Sequence, residues 1–205
     1  MIGIEKTILL DFPDSFETER LVIRAPRVGD GQVMNEALGE SLAHLQQWMP
    51  WAQRLQTPDE TEEIVRRALV RWILREDLWM LLFRKSDHLF VGRSGLHHID
   101  WSSRCFEIGY WANSKFEGQG YISEAVTGIT CFAFDTLGAE RVMIRCDSLN
   151  ERSAAVARRV NYTLEGTLRH DDLAADGRSL RNTLIFSTLR AEYLERKNRT
   201  QTEKS

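Results

Sequence analysis

The sequence predicts a mixed α/β domain of about seven strands and four helices, without an internal boundary. Three observations predict it. Strand-like apolar runs alternate with segments whose apolar residues recur at helical spacing. One such run, 105–111, passes through a glycine-bearing turn into a helical pattern that reaches about residue 137. Near the C-terminus, two strand-like runs flank Asp176-Gly177, a strong hairpin dipeptide. The chain has 205 residues, ample for a sizeable core. No internal repeat or low-complexity segment interrupts it.

Taken in order, residues 1–15 read as a short extension punctuated by Pro13, and residues 16–190 as the single domain. Residues 20–25 alternate as a strand should, and Pro26 ends them. A helix is expected over about 30–39. A second opens at Thr57-Pro58-Asp59-Glu60, where a capping residue, an early proline and first-turn acids come together. Its apolar positions are Ile64, Ala68, Trp72 and Leu78. Strands are expected over 79–83, 89–98 and 105–111, then the helix to 137, a strand over 141–146 and a helix over 151–160. The final strands, 163–169 and 181–189, flank the hairpin. The polar segment 191–205 reads as a tail frayed from about residue 192.

Composition narrows the function class. With 42% hydrophobic and 28% charged residues, the chain is typical of soluble globular proteins. A net charge of -3 argues against a general nucleic-acid binder. Arg152, Arg158 and Arg159 form a local basic group, read as a solvated helix face. No N-terminal signal is present and no apolar run nears the length of a membrane span, so no membrane association is expected. Cys105, Cys131 and Cys146 have no metal-like spacing, and all lie in apolar runs. They read as buried free thiols in the cytoplasm. His97-His98 does not read as a metal site, because adjacent strand residues point to opposite faces. No metal is expected.

The segment from Lys115 to Ala125 carries the chemistry. A strand, a glycine turn and a helix start aim free backbone N–H groups at an anion, aided by the helix dipole. Gly118 and Gly120 allow close approach to the backbone and can take positive φ. A pyrophosphate is the natural guest. The segment lacks the triphosphatase Gly-x-x-x-x-Gly-Lys-Ser/Thr pattern and the third glycine of the dinucleotide fingerprint.

Lys115-x-x-Gly118-x-Gly120 resembles the acetyl-CoA pyrophosphate loop of the GNAT N-acetyltransferase superfamily, usually Gln/Arg-x-x-Gly-x-Gly/Ala. Glu107 to Trp111 before it and Tyr121 to Ala125 after it resemble the RimJ/RimL-like, ribosomal-protein N-acetyltransferase branch. A second segment, from Asn150 to Tyr162, resembles the family's Asn-x-x-Ser/Ala, helix, Gly-Phe pattern. Asn161 stands for the glycine; asparagine tolerates the left-handed conformation best after glycine. Tyr162 keeps the aromatic plug, and residues 16–24 look like the branch's first strand.

The resemblance implies a GNAT fold, a mixed and mostly antiparallel sheet with a splayed central strand pair. It implies acetyl-CoA as co-substrate, held by Tyr110, Trp111, Ala112, Lys115, Glu117, Gly118, Gln119, Gly120, Tyr121, Ile122, Asn150 and Ser153. It implies direct attack by an amine on the thioester, since no cysteine occupies a nucleophile-like position. An N–H near Tyr110 or Trp111 would face the thioester oxygen. Glu107 is the first candidate base, with Glu76 and Asp77 as alternatives. The tyrosine that many members use as acid is Ala157 here, which leaves Ser153, near the thioester sulfur in RimL-like enzymes, or else a simple helix cap. Asn150 bonds pantetheine or neighbouring backbone. Trp48 and Trp51, in Trp48-Met49-Pro50-Trp51, are candidates for the acceptor rim. The expected acceptor is a protein α-amine such as a ribosomal protein's. The alternatives are a small-molecule amine (antibiotic or polyamine) and a non-catalytic acetyl-CoA sensor. Members of the branch are often homodimers.

Overall fold

The computed structural model describes residues 6–202. The expected extension and tail thus have residues 1–5 and 203–205 outside the described part. One eight-stranded sheet forms the frame: β1 (Ser15–Glu17), β2 (Leu21–Arg24), β3 (Leu78–Arg84), β4 (Phe90–Asp100), β5 (Cys105–Ala112), β6 (Arg141–Asp147), β7 (Thr163–Leu173) and β8 (Leu180–Leu189). Their spatial order is β1-β2-β3-β4-β5-β6-β8-β7. Every neighbouring pair is antiparallel except β5 and β6. Those two pair in parallel only from Cys105↔Arg141 to Glu107↔Met143 and then diverge. This is the splayed central pair that the resemblance implied.

The count of seven strands is corrected to eight. Ser15–Glu17 is too short to announce itself, and pairs with β2 across a tight connection. Among the described residues the expected four helices become five: α1 (Gly31–Leu45), α2 (Pro58–Leu74), α3 (Tyr121–Cys131), α4 (Glu151–Arg159) and α5 (Arg190–Thr202). The first runs well past residue 39, burying Met34, Leu38 and Leu45. In α2 the expected cap is present, and Thr57 and Glu60 bond reciprocally as a capping box. That helix stops at Leu74 because Arg75 turns left-handed at φ 62, which frees Leu78 to open β3. The stretch after α3 continues as a π-helical turn, Phe132–Thr136.

The frayed tail is also corrected. Tyr193 of α5 is buried, stacks on Phe134 at 4.7 Å and donates a 2.6 Å hydrogen bond to Asp135. The extension docks as well: Phe12 packs edge-on against Trp72 and Phe132, under the Arg75 guanidinium. The sheet separates two cores. One joins α3 and α4 to Met80, Leu96, Phe106 and Ile108. The other joins α1 and α2 to Leu81, Phe90 and Trp111.

Candidate active site

Past Glu107 and Met143, the β6-facing backbone of β5 has no strand partner among the described residues. A cleft of about 760 Å³ opens there, lined by Tyr110, Trp111, Ala112 and the turn from Glu117 to Ile122. Gly118 and Gly120 have φ of 72° and 81°, so the turn uses the freedom that only glycine supplies cheaply. A Cβ on Gly118 would meet nothing within 4 Å, so its face is open. Gly120 is the N-cap of α3, and no side chain caps that helix. Its first-turn N–H groups and dipole are left for an anion. Arg152 and Arg159 of α4 line the same cleft. Arg159 donates to Ser123 Oγ at 3.0 Å, and Arg152 to Glu117 at 2.5 Å. Glycine turn, helix start and two guanidinium groups fit a pyrophosphate.

Tyr110 and Ser153 mark where this cleft meets a second one, of about 690 Å³, which they also line. The Tyr110 hydroxyl lies 2.9 Å from Ser153 Oγ and 3.0 Å from Ser153 O. Burial pushes the Tyr110 phenol well above its ordinary value, so it stays protonated. Asn150, not Ser153, caps α4, accepting the Ser153 N–H at 3.0 Å. The serine hydroxyl is therefore not spent on a cap. Ala157 is fully buried, and a phenol reaches Ser153 from β5 instead. Burial also pushes the Cys146 thiol up, against a thiolate nucleophile.

The second cleft has β3, β4 and β5 as its floor and Trp48 and Met49 at its rim. Glu107 lines it and bonds His98 Nδ1 at 3.1 Å. Asp77 bonds His97 Nδ1 at 2.8 Å, and the His97 ring lies over Gly109, where a Cβ would stand 2.9 Å from it. The expectation that the two histidines face apart is corrected: the strand is irregular here, with His98 at φ 45°, and both line this cleft, His97 largely enclosed and the His98 side chain 80% exposed. Glu76 borders the cleft and is exposed. Among the described residues, no His, Cys, Asp or Glu cluster has metal-site geometry.

Two expected site residues lie apart. The Lys115 ammonium is drawn away to Glu40 at 2.5 Å, holding that carboxyl below its ordinary range. Trp51 is 43% exposed and packs on Trp111 at 6.5 Å without lining either cleft. Arg152 and Arg159 are exposed, as the solvated-face reading expects, and they also line the cleft. They stand seven residues apart, two helical turns, and so share the face over the cleft, a spacing readable in advance. Arg158 points elsewhere, toward Glu151 and the Phe186 ring. Of the three cysteines, only Cys146 is fully buried.

A profile of the acetyltransferase (GNAT) domain family matches residues 20–163. The chain is 30% identical over 179 residues to the Bacillus subtilis (strain 168) protein named "Putative ribosomal N-acetyltransferase YdaF", covering 85% of this chain and 94% of that one. It is 27% identical to the ribosomal-protein-serine acetyltransferase of Escherichia coli (strain K12), covering 78% and 88%. The solved structure of RimL, a ribosomal L7/L12 alpha-N-protein acetyltransferase in complex with coenzyme A, shares the fold. It superimposes with a TM-score of 0.77 at 24% identity, over 85% of this chain and 97% of that one.

Proposed function

Because this chain belongs to the GNAT acetyltransferase family and takes acetyl-CoA as its acyl donor, we propose that it acetylates the α-amino group of a protein in the cytoplasm, a ribosomal protein being the model. The observation that carries this reading is the meeting of the two clefts at Tyr110 and Ser153. One side suits the donor's pyrophosphate, and the other is wide enough for a chain end.

Acetyl-CoA supplies an activated acyl group as a thioester. The turn from Gly118 to Tyr121, with Arg152 and Arg159, holds the pyrophosphate, and the unpaired β5 backbone around Tyr110 to Ala112 holds the pantetheine arm. An N–H near Tyr110 or Trp111 stabilises the developing oxyanion, a role typically worth ~2.7–4 kcal/mol. Glu107 accepts the amine's proton. The amine nitrogen bonds to the acyl carbon directly, and Ser153 donates a hydrogen bond to the sulfur as the C–S bond breaks. A simple thiol has a pKa of about 8.5, so that modest help suffices, and the proton held by Glu107 returns to solvent or to the thiol. Tyr110, kept protonated by burial, fixes the direction of the Ser153 hydroxyl.

Thiol release from acetyl-CoA across N-terminal peptides, polyamines and aminoglycosides tests the reading. The expected result is transfer to the peptides, with kcat/KM rising up to about pH 8 as the α-amine (pKa about 7.7–8.0) loses its proton. Preference for a polyamine or an aminoglycoside would overturn the protein acceptor.

A further inference from the structure

The floor of the acceptor cleft holds a cation without a counter-charge. Arg93, on β4 opposite Trp111, lays its guanidinium on the Trp79 ring at 3.7 Å. Its Nε and Nη1 are shut off from solvent with no hydrogen-bond partner. Lost solvation lowers its pKa to about 10, with Asp77 opposing the shift from a distance. The other charges around it are matched or wet. Arg145 bonds Asp171, Arg181 bonds Asp172 at 3.0 Å, Asp77 bonds His97 and Glu107 bonds His98. Arg71 and Glu76 are exposed, and Asp147 accepts the Leu149 N–H. Among the described residues, no carboxylate hydrogen-bonds to Arg93. A buried guanidinium left unpaired destabilises a folded protein, so its retention beside a cleft points to a ligand.

We propose that the acceptor side of the site selects amines carrying a carboxylate within about one residue of the reacting nitrogen, and that Arg93 holds that carboxylate. The inference rests on the acetyl-transfer reading above. Strand register sets the spacing. The guanidinium lies over Trp79, whose neighbour across β4 is Gly95, and Gly95 in turn faces Gly109. Glu107 is two residues further along β5, so two strand spacings and two residues separate its Cα from that of Trp79, roughly 12 Å, a gap that the Glu107 side chain, the acceptor and the Arg93 guanidinium together span. An amine held at Glu107 and Ser153 thus places an adjacent carboxylate within reach of Arg93. Stacking on Trp79 holds the guanidinium plane, and since Arg93 lines the cleft while Nη2 is not among its shut-off atoms, that nitrogen is left for a charge-assisted hydrogen bond. Two sources share this chemistry: an acidic second residue of a polypeptide, and the α-carboxylate of a free amino acid.

The test compares a serine-led peptide having aspartate second with its asparagine twin, and serine with serine amide, on wild type, R93M and R93K. Wild type is expected to prefer the carboxylate partner of at least one pair by ~10–100-fold in kcat/KM, the range of a desolvated charge pair. R93M should abolish that preference, leave transfer to the neutral twin and acetyl-CoA affinity unchanged, and melt no lower than wild type. R93K should keep part of the preference. The pair that discriminates identifies the source of the carboxylate. Equal use of acid and neutral twins by wild type would overturn the subsite and leave the transferase standing. An R93M loss shared by all acceptors, with a lower melting temperature, would assign Arg93 to structure. Normal acetyl-CoA binding with no transfer to any amine would overturn the transferase reading and the subsite with it.

Discussion

Ser153→Ala isolates the hydroxyl at the junction of the two clefts. Asn150 supplies the cap, so α4 should keep its stability. The lost hydrogen bond forms only as the C–S bond breaks, so kcat and kcat/KM should fall together, about 10–100-fold, with acetyl-CoA affinity unchanged by calorimetry. An equal loss of cofactor affinity would make Ser153 a binding residue. Glu107→Gln should lower kcat by about 10²-fold or more and leave acetyl-CoA binding intact. Lys115→Ala should change acetyl-CoA affinity little, because its ammonium is engaged by Glu40 outside the cleft.

At the scale of elements, α3 is only as well placed as its first turn. Glu124 ties that turn to the β1–β2 connection, accepting from Thr18 Oγ1 at 2.6 Å, from Arg20 N at 2.7 Å and from Arg20 Nε at 2.6 Å. Burial would raise its pKa, but these bonds outweigh burial and lower it from the ordinary 4.5. A lowered carboxyl contributes stability above its unfolded pKa and loses it as pH falls through the folded one. Glu124→Gln should therefore cost about 1–3 kcal/mol at pH 7 in urea unfolding, with the difference shrinking below about pH 4.5. Since the helix start carries the glycine turn proposed to hold the pyrophosphate, the same variant should also weaken acetyl-CoA binding. An unchanged affinity would show that the turn is held by its glycines alone.

For the whole molecule, α5 closes the sheet from the C-terminal side through Tyr193. Tyr193→Ala removes an aromatic stack and a hydrogen bond to Asp135, and should cost about 3–5 kcal/mol of global stability. The effect should be read as a shifted urea midpoint with an unchanged m-value. Losing so much stability from a contact 58 residues along the chain from Asp135 in the π-helical turn would show that the C-terminal segment is part of the domain. A midpoint near wild type would return it to the status of a tail.

Local chemistry was legible in the sequence wherever covalent neighbours decide it. The glycine turn, the cap at Thr57, left-handed Asn161 at φ 60° and the hairpin at Gly177 all follow from backbone rules spanning four or five residues. The spaced motifs that resemble the GNAT family extended this to the splayed pair and the acyl donor. What the sequence by itself determined was thus the family, the fold class and the glycine turn. Tertiary structure alone decided which side chains face one another across the sheet. It drew Lys115 to Glu40, gave the cap to Asn150, set Tyr110 against Ser153, and left Arg93 on Trp79 without a carboxylate. Each partner in the first and third of these pairs lies more than 40 residues from the other. Strand register and helix packing set such contacts, and periodicity along a single chain encodes which face a residue occupies but not what stands opposite it.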